Sequence, residues 1–360
     1  MPSSPSTGYR AIADALLTDI RDGKYQPGHQ FPSLTAIMRR FGVTRITAKR
    51  AVDDLKRRGA VRVEPRSGTV VRNVNRTIGL VILSESPLFQ SICAALSVLC
   101  QRGGYSLLLG VVTEGAPEER AAQARELADR FSAQGVAGVI LQPIGYLPDA
   151  DERNAEIAAR FRKSRIPVVL LDGDIVPMPE ASGLDVVEID NFEAGYTLTR
   201  HILSQHPGAT VTLLRPNAGT HAGELRRSGI RQALLDGGGT FAELTCNPGD
   251  TTGFRRHLRR DHPNAIICAH DAMAIVAATT LRALKKRVPE DILLASFDDI
   301  PAAAAMTPSL TTIRQPADQI ARASFDTLLR RIANPEISPH RVLVHAPLVA
   351  RQSTGVLPET

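Results

Sequence analysis

The residues best suited to chemistry form one short basic stretch near the N-terminus. Arg45, Lys49 and Arg50 alternate with the hydroxyl residues Thr44 and Thr47, and apolar residues recur between them at helical spacing. Guanidinium and ammonium groups donate hydrogen bonds to phosphates and base edges, and short hydroxyl side chains allow a close approach to a groove. The stretch therefore predicts a helix that presents its first turn to the major groove of duplex DNA.

Two amphipathic helices joined by a tight turn would hold that first turn in place. Residues 31–59 read FPSLTAIMRRFGVTRITAKRAVDDLKRRG, in which Gly42 helps to close the first helix and Thr44 caps the second. Spacing predicts the apolar face of the second helix. That face would comprise Ile46, Ala48, Ala51, Val52 and Leu55. This pattern is typical of a helix-turn-helix.

A helix at residues 9–23 precedes this pair, and a two-stranded wing follows it. The segment AVRVEPRSGTVVR, residues 60–72, alternates apolar and polar residues on both sides of a Pro-Arg-Ser-Gly turn. Basic residues at the end of the last helix and along the wing are expected to contact phosphates. They are Arg57, Arg58, Arg62, Arg66 and Arg72. Three helices and a wing define a winged helix-turn-helix.

Charge is unevenly distributed along the 360 residues, a length for which two or three folding units are expected. Residues 1–76 contain 15 Lys and Arg against 6 Asp and Glu, whereas residues 77–360 contain 28 against 31. Nucleic acid would therefore meet the N-terminal part. The N-terminus lacks an apolar export segment, and no run approaches the roughly 18 apolar residues of a membrane span. These absences predict a cytoplasmic protein without membrane contact.

Residues 9–72 resemble the GntR family of bacterial transcription regulators. The matching features include I-x-x-G-x-Y-x-P-G at residues 20–28, the Pro32-Ser33 pair, FGVTRITAKRAVDDL and the GTVV that closes the wing. Two departures are Leu34-Thr35, where the family usually has an arginine, and Arg66 in place of the first wing glycine. The resemblance implies operator contacts from the helix-turn-helix and the wing tip. These residues are Ser33, Thr44, Arg45, Thr47, Lys49, Arg50, Arg66, Ser67 and Gly68.

Beyond residue 77 the pattern changes to alternating strands and helices. A first series, with near-continuous apolar runs such as TIGLVIL and IPVVLLD, ends at Asp172, and a second series extends from Leu184 to Asp299. Continuous apolar strands separated by helices are typical of parallel sheets covered on both faces. Two such series predict two lobes and an α/β fold.

Polar residues stand at the carboxyl ends of these predicted strands, where parallel sheets bind their ligands. They are Ser84, Asp172, Asp190, Asp271 and Asp298. Taken singly, each carboxylate is explained as well by a turn or a helix cap. Gathered in one cleft with an arginine, they would suit a hydroxyl-rich ligand such as a sugar or polyol.

Residues 77–355 resemble the LacI type of periplasmic-binding-protein-like sensor domain. Matching runs include IDNFEAGYTLTRHIL, RRSGIRQAL and VPEDILLASFDDI. The likeness implies three chain crossings between the lobes, with residues 316–342 returning to the first, and a homodimer held by the sensor. Where sugar-binding members often place an aromatic residue, this chain has Thr251 and Ala317. The implied effector contacts are Ser84, Glu85, Phe89, Asp172, Asp190, Arg226, Asp271 and Asp298.

Motifs that would indicate an enzyme are missing from the sequence. There is no GxxxxGK[ST], no HExxH and no nucleophile elbow, and His270-Asp271 is better explained as a strand-to-helix corner than as a catalytic pair. The four cysteines have no paired spacing with histidine, which favours buried thiols over a metal site or disulfides. We therefore expect neither enzymatic activity, nor a cofactor, nor a metal.

Together these patterns predict an α/β protein in three parts: a winged helix-turn-helix at 1–72, a linker at 73–77 and a two-lobed periplasmic-binding-protein-like (type I) domain with parallel sheets at 78–355. The predicted function is a bacterial transcriptional repressor of a carbohydrate-related catabolic operon. Its homodimer would bind double-stranded operator DNA and respond to a small, polar, sugar-like effector. An alternative remains open: a cytosolic α/β binding protein or enzyme whose helix-turn-helix serves only for docking.

Overall fold

A computed structural model of the chain describes residues 8–21, 23–64, 68–71, 76–82, 86–113, 115–147, 149–177, 179–247 and 249–355. Five of the predicted contacts lie outside these residues: Arg66, Ser67 and Arg72 of the predicted wing, and Ser84 and Glu85 of the predicted first lobe. Among the described helices, none combines the length and the apolar character that a bilayer crossing requires.

Three helices and a two-stranded sheet form the N-terminal part. In chain order they are α1 (Tyr9–Arg21), α2 (Leu34–Phe41), α3 (Arg45–Arg57), β1 (Val61–Glu64) and β2 (Gly68–Val71). The strands pair antiparallel, with Val61 opposite Val71. Side chains at helical spacing, such as Ile12 and Leu16 of α1 and Leu55 of α3, share one buried core with the strands. The predicted winged helix-turn-helix is confirmed.

The rest of the chain alternates strands and helices. In chain order the elements are β3 (Thr77–Ile82), α4 (Pro87–Arg102), β4 (Ser106–Val111), α5 (Pro117–Ala133), β5 (Gly138–Leu141), α6 (Ala150–Lys163), β6 (Val168–Leu171), β7 (Asp185–Ile189), α7 (Asn191–Gln205), β8 (Thr210–Arg215), α8 (His221–Gly237), β9 (Thr240–Thr245), α9 (Thr252–Arg260), β10 (Ala265–Cys268), α10 (Asp271–Ala283), β11 (Leu293–Asp298), α11 (Pro301–Ala305), β12 (Thr311–Arg314), α12 (Ala317–Ala333), β13 (Arg341–Val344) and β14 (Leu348–Val349).

These elements build two lobes, each around a six-stranded sheet. The first sheet has the order β13-β7-β6-β5-β3-β4 and is parallel throughout. The second has the order β14-β12-β11-β10-β8-β9 and is parallel except for the antiparallel edge strand β14. Every residue of the inner strands β5, β6 and β10 is buried, because helices cover both faces. The predicted two-lobed α/β architecture is confirmed.

The boundary between the two series differs from the prediction. The run that begins at Leu184 was assigned to the second series, but its strand β7 pairs with β6 and β13 in the first sheet. The chain first crosses after β7, and the following helix α7 packs against α8 of the second lobe. A buried strand has the same apolar pattern in either sheet, so periodicity alone does not assign it.

Two further crossings complete the fold. After β12 the chain returns to the first lobe, where α12 packs on α4 and on strands β5, β6, β7 and β13. After β13 it crosses again, and β14 pairs with β12. The return of residues 316–342 to the first lobe is as the sequence predicts. Strands of both sheets end at the same cleft, so the loops that follow them form its walls.

Candidate nucleic-acid interface and effector cleft

The first turn of α3 is fixed by its own cap. The Thr44 hydroxyl accepts a hydrogen bond from the backbone N–H of Thr47 (3.4 Å) and lies 3.1 Å from the Thr47 hydroxyl. Gly42, at φ 65°, ends α2 in the left-handed conformation that the tight turn requires. The turn and the cap together present the N-terminal end of α3 at the surface.

Three exposed cations on α3 have no ion-pair partner among the described residues: Arg45, Lys49 and Arg50. The neighbouring arginines differ. Arg57 lies 2.7 Å from Asp54, Arg58 lies 2.5 Å from the same carboxylate and Arg62 lies 2.5 Å from Glu64. The prediction that these three contact phosphates is therefore weakened. The cations of the first two turns remain available to bind DNA.

Ile46 was predicted to lie on the buried face of α3, but its side chain is 68% exposed. The buried face comprises Ala48, Ala51, Val52 and Leu55, and Ile46 lies roughly 200° around the helix from Ala48. An exposed apolar side chain in this turn suits contact with a thymine methyl group. Ile46 is therefore a further candidate for contact with DNA, although the sequence predicts it on the buried face.

The start of α2 and the wing lie side by side. The Ser33 hydroxyl caps α2 by accepting a hydrogen bond from the N–H of Ala36 (3.2 Å). The backbone N–H of Phe31 donates to the carbonyl of Thr69 (2.7 Å), which ties the approach to α2 to β2. Gly68 opens β2 at φ 75°. Ser33 and Gly68 are both exposed.

A cavity of about 900 Å³ lies between the two lobes. Four of the predicted effector residues line it: Phe89 and Asp172 from the first lobe, and Arg226 and Asp298 from the second. Its size falls in the upper part of the range for small-molecule sites, about 300 to 1,000 Å³. The two lobes therefore bring aromatic, cationic and acidic groups to one cleft.

Arg226 is held on several sides. It is 8% exposed, its Nε donates to the side-chain oxygen of Asn191 (2.9 Å), and one Nη donates to the carbonyl of Ala269 (3.0 Å). Its guanidinium lies 4.7 Å from the ring centre of Phe297 and 3.9 Å from the carboxylate of Asp298. These contacts fix the plane of the guanidinium, and its remaining N–H groups are left for a ligand.

Two glycines permit this placement of Arg226. A Cβ on Gly195 would overlap the carbonyl of Arg226, and a Cβ on Gly229 would overlap the carbonyl of Phe192. The backbones of α7 and α8 can therefore approach closely only because both positions lack side chains. This contact brings Arg226 beside the first turn of α7, where Asn191 lies.

Two of the acids that line the cleft, Asp172 and Asp298, have strained backbones and are partly desolvated. Asp172 has φ 70° and Asp298 has φ 114°, a region that residues other than glycine rarely adopt. Burial raises the pKa of Asp172 to about 6, opposed by nearby Arg226. Burial also raises the pKa of Asp298, opposed by Arg226 and by a 2.8 Å hydrogen bond from Gln315. Positive φ values in carboxylates beside a cavity are a common feature of functional sites.

Asp190 and Asp271 differ from the sequence expectation, because neither lines the cavity. Asp190 caps α7 by accepting a hydrogen bond from the N–H of Glu193 (2.9 Å). Asp271 is fully buried, where it accepts hydrogen bonds from Ser296, from Thr312 (2.9 Å) and from the backbone of Ile300 (2.8 Å). Both carboxylates stabilise the lobes rather than face a ligand.

The cavity also has polar and aromatic residues that the sequence analysis did not identify. Tyr146 lies in the loop after β5 at φ 62°, and Gln315 follows β12. Further polar residues of the lining include Arg120, His221, His270 and the acids Asp151, Asp174 and Glu224. His270 caps α10 by accepting from the N–H of Met273 (3.3 Å), and burial lowers its pKa to about 4. The signal that could have located Tyr146 is its place beyond the carboxyl end of a buried strand.

Two family models match the chain. Residues 8–71 match the bacterial regulatory proteins of the gntR family, and residues 200–354 match the periplasmic binding protein-like domain. The first match spans α1 to β2 and thus the whole described winged helix. The second spans most of the second lobe together with α12 and β13.

Similar proteins are transcription regulators. The HTH-type transcriptional repressor PurR of Escherichia coli O1:K1 is 29% identical over 293 residues, which cover 79% of this chain and 81% of PurR. A solved transcriptional regulator CelR-cellobiose complex has a TM-score of 0.66 at 21% identity, and the match covers 98% of this chain and 100% of the solved chain. A LacI family regulator from Enterococcus faecium with bound ribose has a TM-score of 0.62 at 22% identity, and the match covers 78% of this chain and 100% of the solved chain.

Proposed function

Because this chain is a DNA-binding transcriptional regulator that joins a gntR-family domain to a periplasmic-binding-protein-like domain, we propose that it represses a carbohydrate-related catabolic operon in the cytoplasm. The observation that carries the proposal is the pairing of two surfaces. One is the first two turns of α3, whose cations Arg45, Lys49 and Arg50 have no ion-pair partner in the described part of the chain. The other is the cleft around Arg226. A regulator that acts by binding alone needs both surfaces, one for DNA and one for the effector that controls it.

We assign residues 1–72 to DNA binding and residues 78–355 to effector binding and dimerisation, with 73–77 as the linker. On the DNA, Arg45 and Lys49 would contact bases or phosphates, and Ser33 and Gly68 would contact the backbone from α2 and the wing. The wing-tip residues Arg66 and Ser67 complete the proposed surface. Each winged helix would bind one half-site of a palindrome.

A small polar effector fits the cleft. Arg226, Asp172 and Asp298 offer donors and acceptors to hydroxyl groups, and the rings of Phe89 and Tyr146 offer the aromatic faces on which a sugar can pack. Solved regulators with the same fold hold cellobiose and ribose. An effector that contacts both lobes would favour their closed arrangement and so change the placement of the two winged helices.

A homodimer would place two winged helices on one operator. The edge strand β4 has exposed Leu109 (44%) and Val111 (41%), and the adjacent helix α4 has exposed Val98 (45%). Exposed apolar side chains along an unpaired sheet edge favour association with a second copy. We propose this face of the first lobe as part of the dimer contact.

The test uses the full chain and two measurements. Selection from a random duplex library at rising salt should enrich one palindrome, because specific contacts persist while phosphate contacts are screened. A thermal-shift screen with ribose, cellobiose, polyols, sugar phosphates and nucleobases should then find a stabilising compound, since about 2.7 kcal/mol is expected at a hundred times its Kd.

Matched variants separate the two halves of the proposal. Arg226→Ala should bind the selected palindrome normally and lose the response to the compound, whereas Arg45→Ala should retain the thermal shift and lose the palindrome. Enrichment of no sequence would leave the alternative, a binding protein or enzyme that uses its helix-turn-helix only for docking. A selected palindrome with no stabilising compound would exclude this set of effectors.

A further inference from the structure

A buried carboxylate of the first lobe is connected to the arginine of the cleft through one side chain. Glu188, on β7, is 1% exposed, and its Oε2 accepts from the side-chain N–H of Asn191 (3.4 Å). The side-chain oxygen of Asn191 accepts in turn from Nε of Arg226 (2.9 Å). Glu188 does not line the cavity, so its influence on a ligand would pass through Arg226.

The amide of Asn191 has a required orientation. Its nitrogen faces two acceptors, Glu188 and the backbone carbonyl of Ile189 (3.2 Å), and this orientation turns its oxygen toward Arg226. The opposite orientation would place the amide N–H groups against the N–H of Arg226, where two donors meet. An ionised Glu188 is an acceptor only, and a bond to an ionised partner is stronger than a neutral one. The negative charge therefore supports the bond to Arg226.

The groups around Glu188 balance its negative charge only in part. Its Oε1 has no hydrogen-bond partner among the described residues, and Nε of Arg341 lies 3.5 Å away. Asp172 and Asp174 face it from the segment after β6, and Arg341 also binds Asp174 (3.1 Å). Burial raises the pKa of Glu188 to about 7; Arg341 opposes this rise, and the two aspartates add to it. The protonation of Glu188 can thus change near neutral pH.

We propose that Glu188 is a positioning residue for Arg226: its carboxylate orients the Asn191 amide, and protonation of Glu188 weakens this support and with it the Nε hydrogen bond of Arg226. A protonated carboxyl can still accept from Asn191 through its carbonyl oxygen, but without the charge that strengthens the bond. The consequence for effector affinity rests on the proposed function. The positioning itself is a property of the chain without ligand.

The experiment observes Arg226 directly in the full chain, with no effector and no DNA. With ¹⁵N-labelled arginine, the Nε–H resonance of Arg226 is assigned by its absence in Arg226→Lys and followed from about pH 6 to about pH 8. We expect a shift with a midpoint near 7 that persists in Asp172→Asn, the variant that removes the other carboxylate with a raised pKa, about 6, near Arg226. Glu188→Gln, which keeps an acceptor but cannot ionise, should abolish that shift and leave the resonance near its low-pH position.

Two controls test the neighbouring titratable groups. Glu193→Gln removes an exposed carboxylate from the first turn of α7, and His345→Gln removes the histidine 3.8 Å from Glu193. Both variants should retain the pH-dependent shift of Arg226. Glu188→Asp keeps an ionisable carboxylate on a shorter side chain. It should retain the pH-dependent shift of the Arg226 resonance and change the pH of its midpoint.

Two results would overturn the proposal: an Arg226 resonance that does not change with pH in the natural chain, or a shift that persists in Glu188→Gln. If Glu188→Gln does not fold, the titration of the natural chain and of Glu188→Asp decides. Because the measurement needs no effector, a failure to find an effector would count against the proposed function and leave this result unaffected.

Discussion

Single arginines in the N-terminal part divide into two groups by their partners. Arg57 and Arg58 are paired with Asp54, whereas Arg45 has no acidic partner among the described residues. A paired guanidinium has part of its charge balanced and some of its five N–H donors occupied, which costs it part of the gain from a phosphate contact. The unpaired side chain has no such cost, so binding energy for DNA should concentrate at the start of α3.

Arg45→Ala is therefore expected to lose about 1 to 3 kcal/mol of operator binding, because the variant lacks one side chain that we propose contacts a base. The measurement is a titration of the selected palindrome by fluorescence anisotropy at several salt concentrations. Arg57→Ala is the matched control and should bind almost normally, since Arg57 is already paired with Asp54 (2.7 Å). Equal losses in the two variants would contradict the division.

Asp172 makes the free chain less stable at neutral pH. Burial raises its pKa to about 6, so the folded state holds this proton more tightly than the unfolded state. The penalty is absent below the unfolded pKa near 4, grows between about pH 4 and 6, and is complete above the folded pKa. We expect Asp172→Asn to raise the free energy of unfolding by about 1 to 3 kcal/mol at about pH 7.

Urea unfolding checks this prediction at two pH values. The natural chain and Asp172→Asn should differ near pH 7 and converge near pH 4, where the carboxyl is protonated in both states. A difference that does not depend on pH would assign the effect to packing instead of charge.

At the scale of elements, the contact between α7 and α8 determines where Arg226 lies. Gly195→Ala would place a methyl group against the carbonyl of Arg226, and we expect a loss of about 1 to 3 kcal/mol of stability from overpacking. Gly253→Ala in α9 is the matched control, since a Cβ there meets no atom within 4 Å. This control should be neutral or slightly stabilising. Thermal unfolding of both variants measures the difference.

Elements with local signals were predictable from the sequence. The caps at Ser33 and Thr44, the left-handed Gly42 and the buried strands all depend on neighbours in the chain. Arg226 and Asp298 were placed in the cleft by their resemblance to known runs, and the cavity does contain them. Whether they bind an effector stays a prediction.

Features that depend on distant residues were not predictable. Asp271 turns inward because Ser296 and Thr312, 25 and 41 residues later, donate to it. Strand β7 belongs to the first sheet through β6 just before it and through β13, more than 150 residues further on, and the apolar pattern of a buried strand identifies neither partner. For Tyr146 the sequence has only a positional signal, its place in the loop after β5, because a loop has no periodicity to show which of its side chains enters the cleft.

At the scale of the whole molecule, the proposed dimer face can be tested by a substitution that introduces one charged side chain. Leu109→Asp on the edge strand β4 should shift the full chain from dimer to monomer in sedimentation and weaken operator binding at least tenfold, about 1.4 kcal/mol. Leu235→Asp on α8, where the side chain is 77% exposed, should leave both unchanged. If the Leu109→Asp variant remains a dimer, the dimer contact lies on another face of the molecule.

The three crossings between the lobes bear on the order in which the protein is made. The N-terminal winged helix is complete by β2, but the first sheet lacks its edge strand until residue 344 has been synthesised, and the second lacks β14 until residue 349. Domains fold as units during synthesis, N-terminal first. The DNA-binding part can therefore fold on the ribosome long before the sensor does. A prematurely terminated chain would keep a domain that could bind one half-site, without the proposed dimer face and without the cleft that could release it.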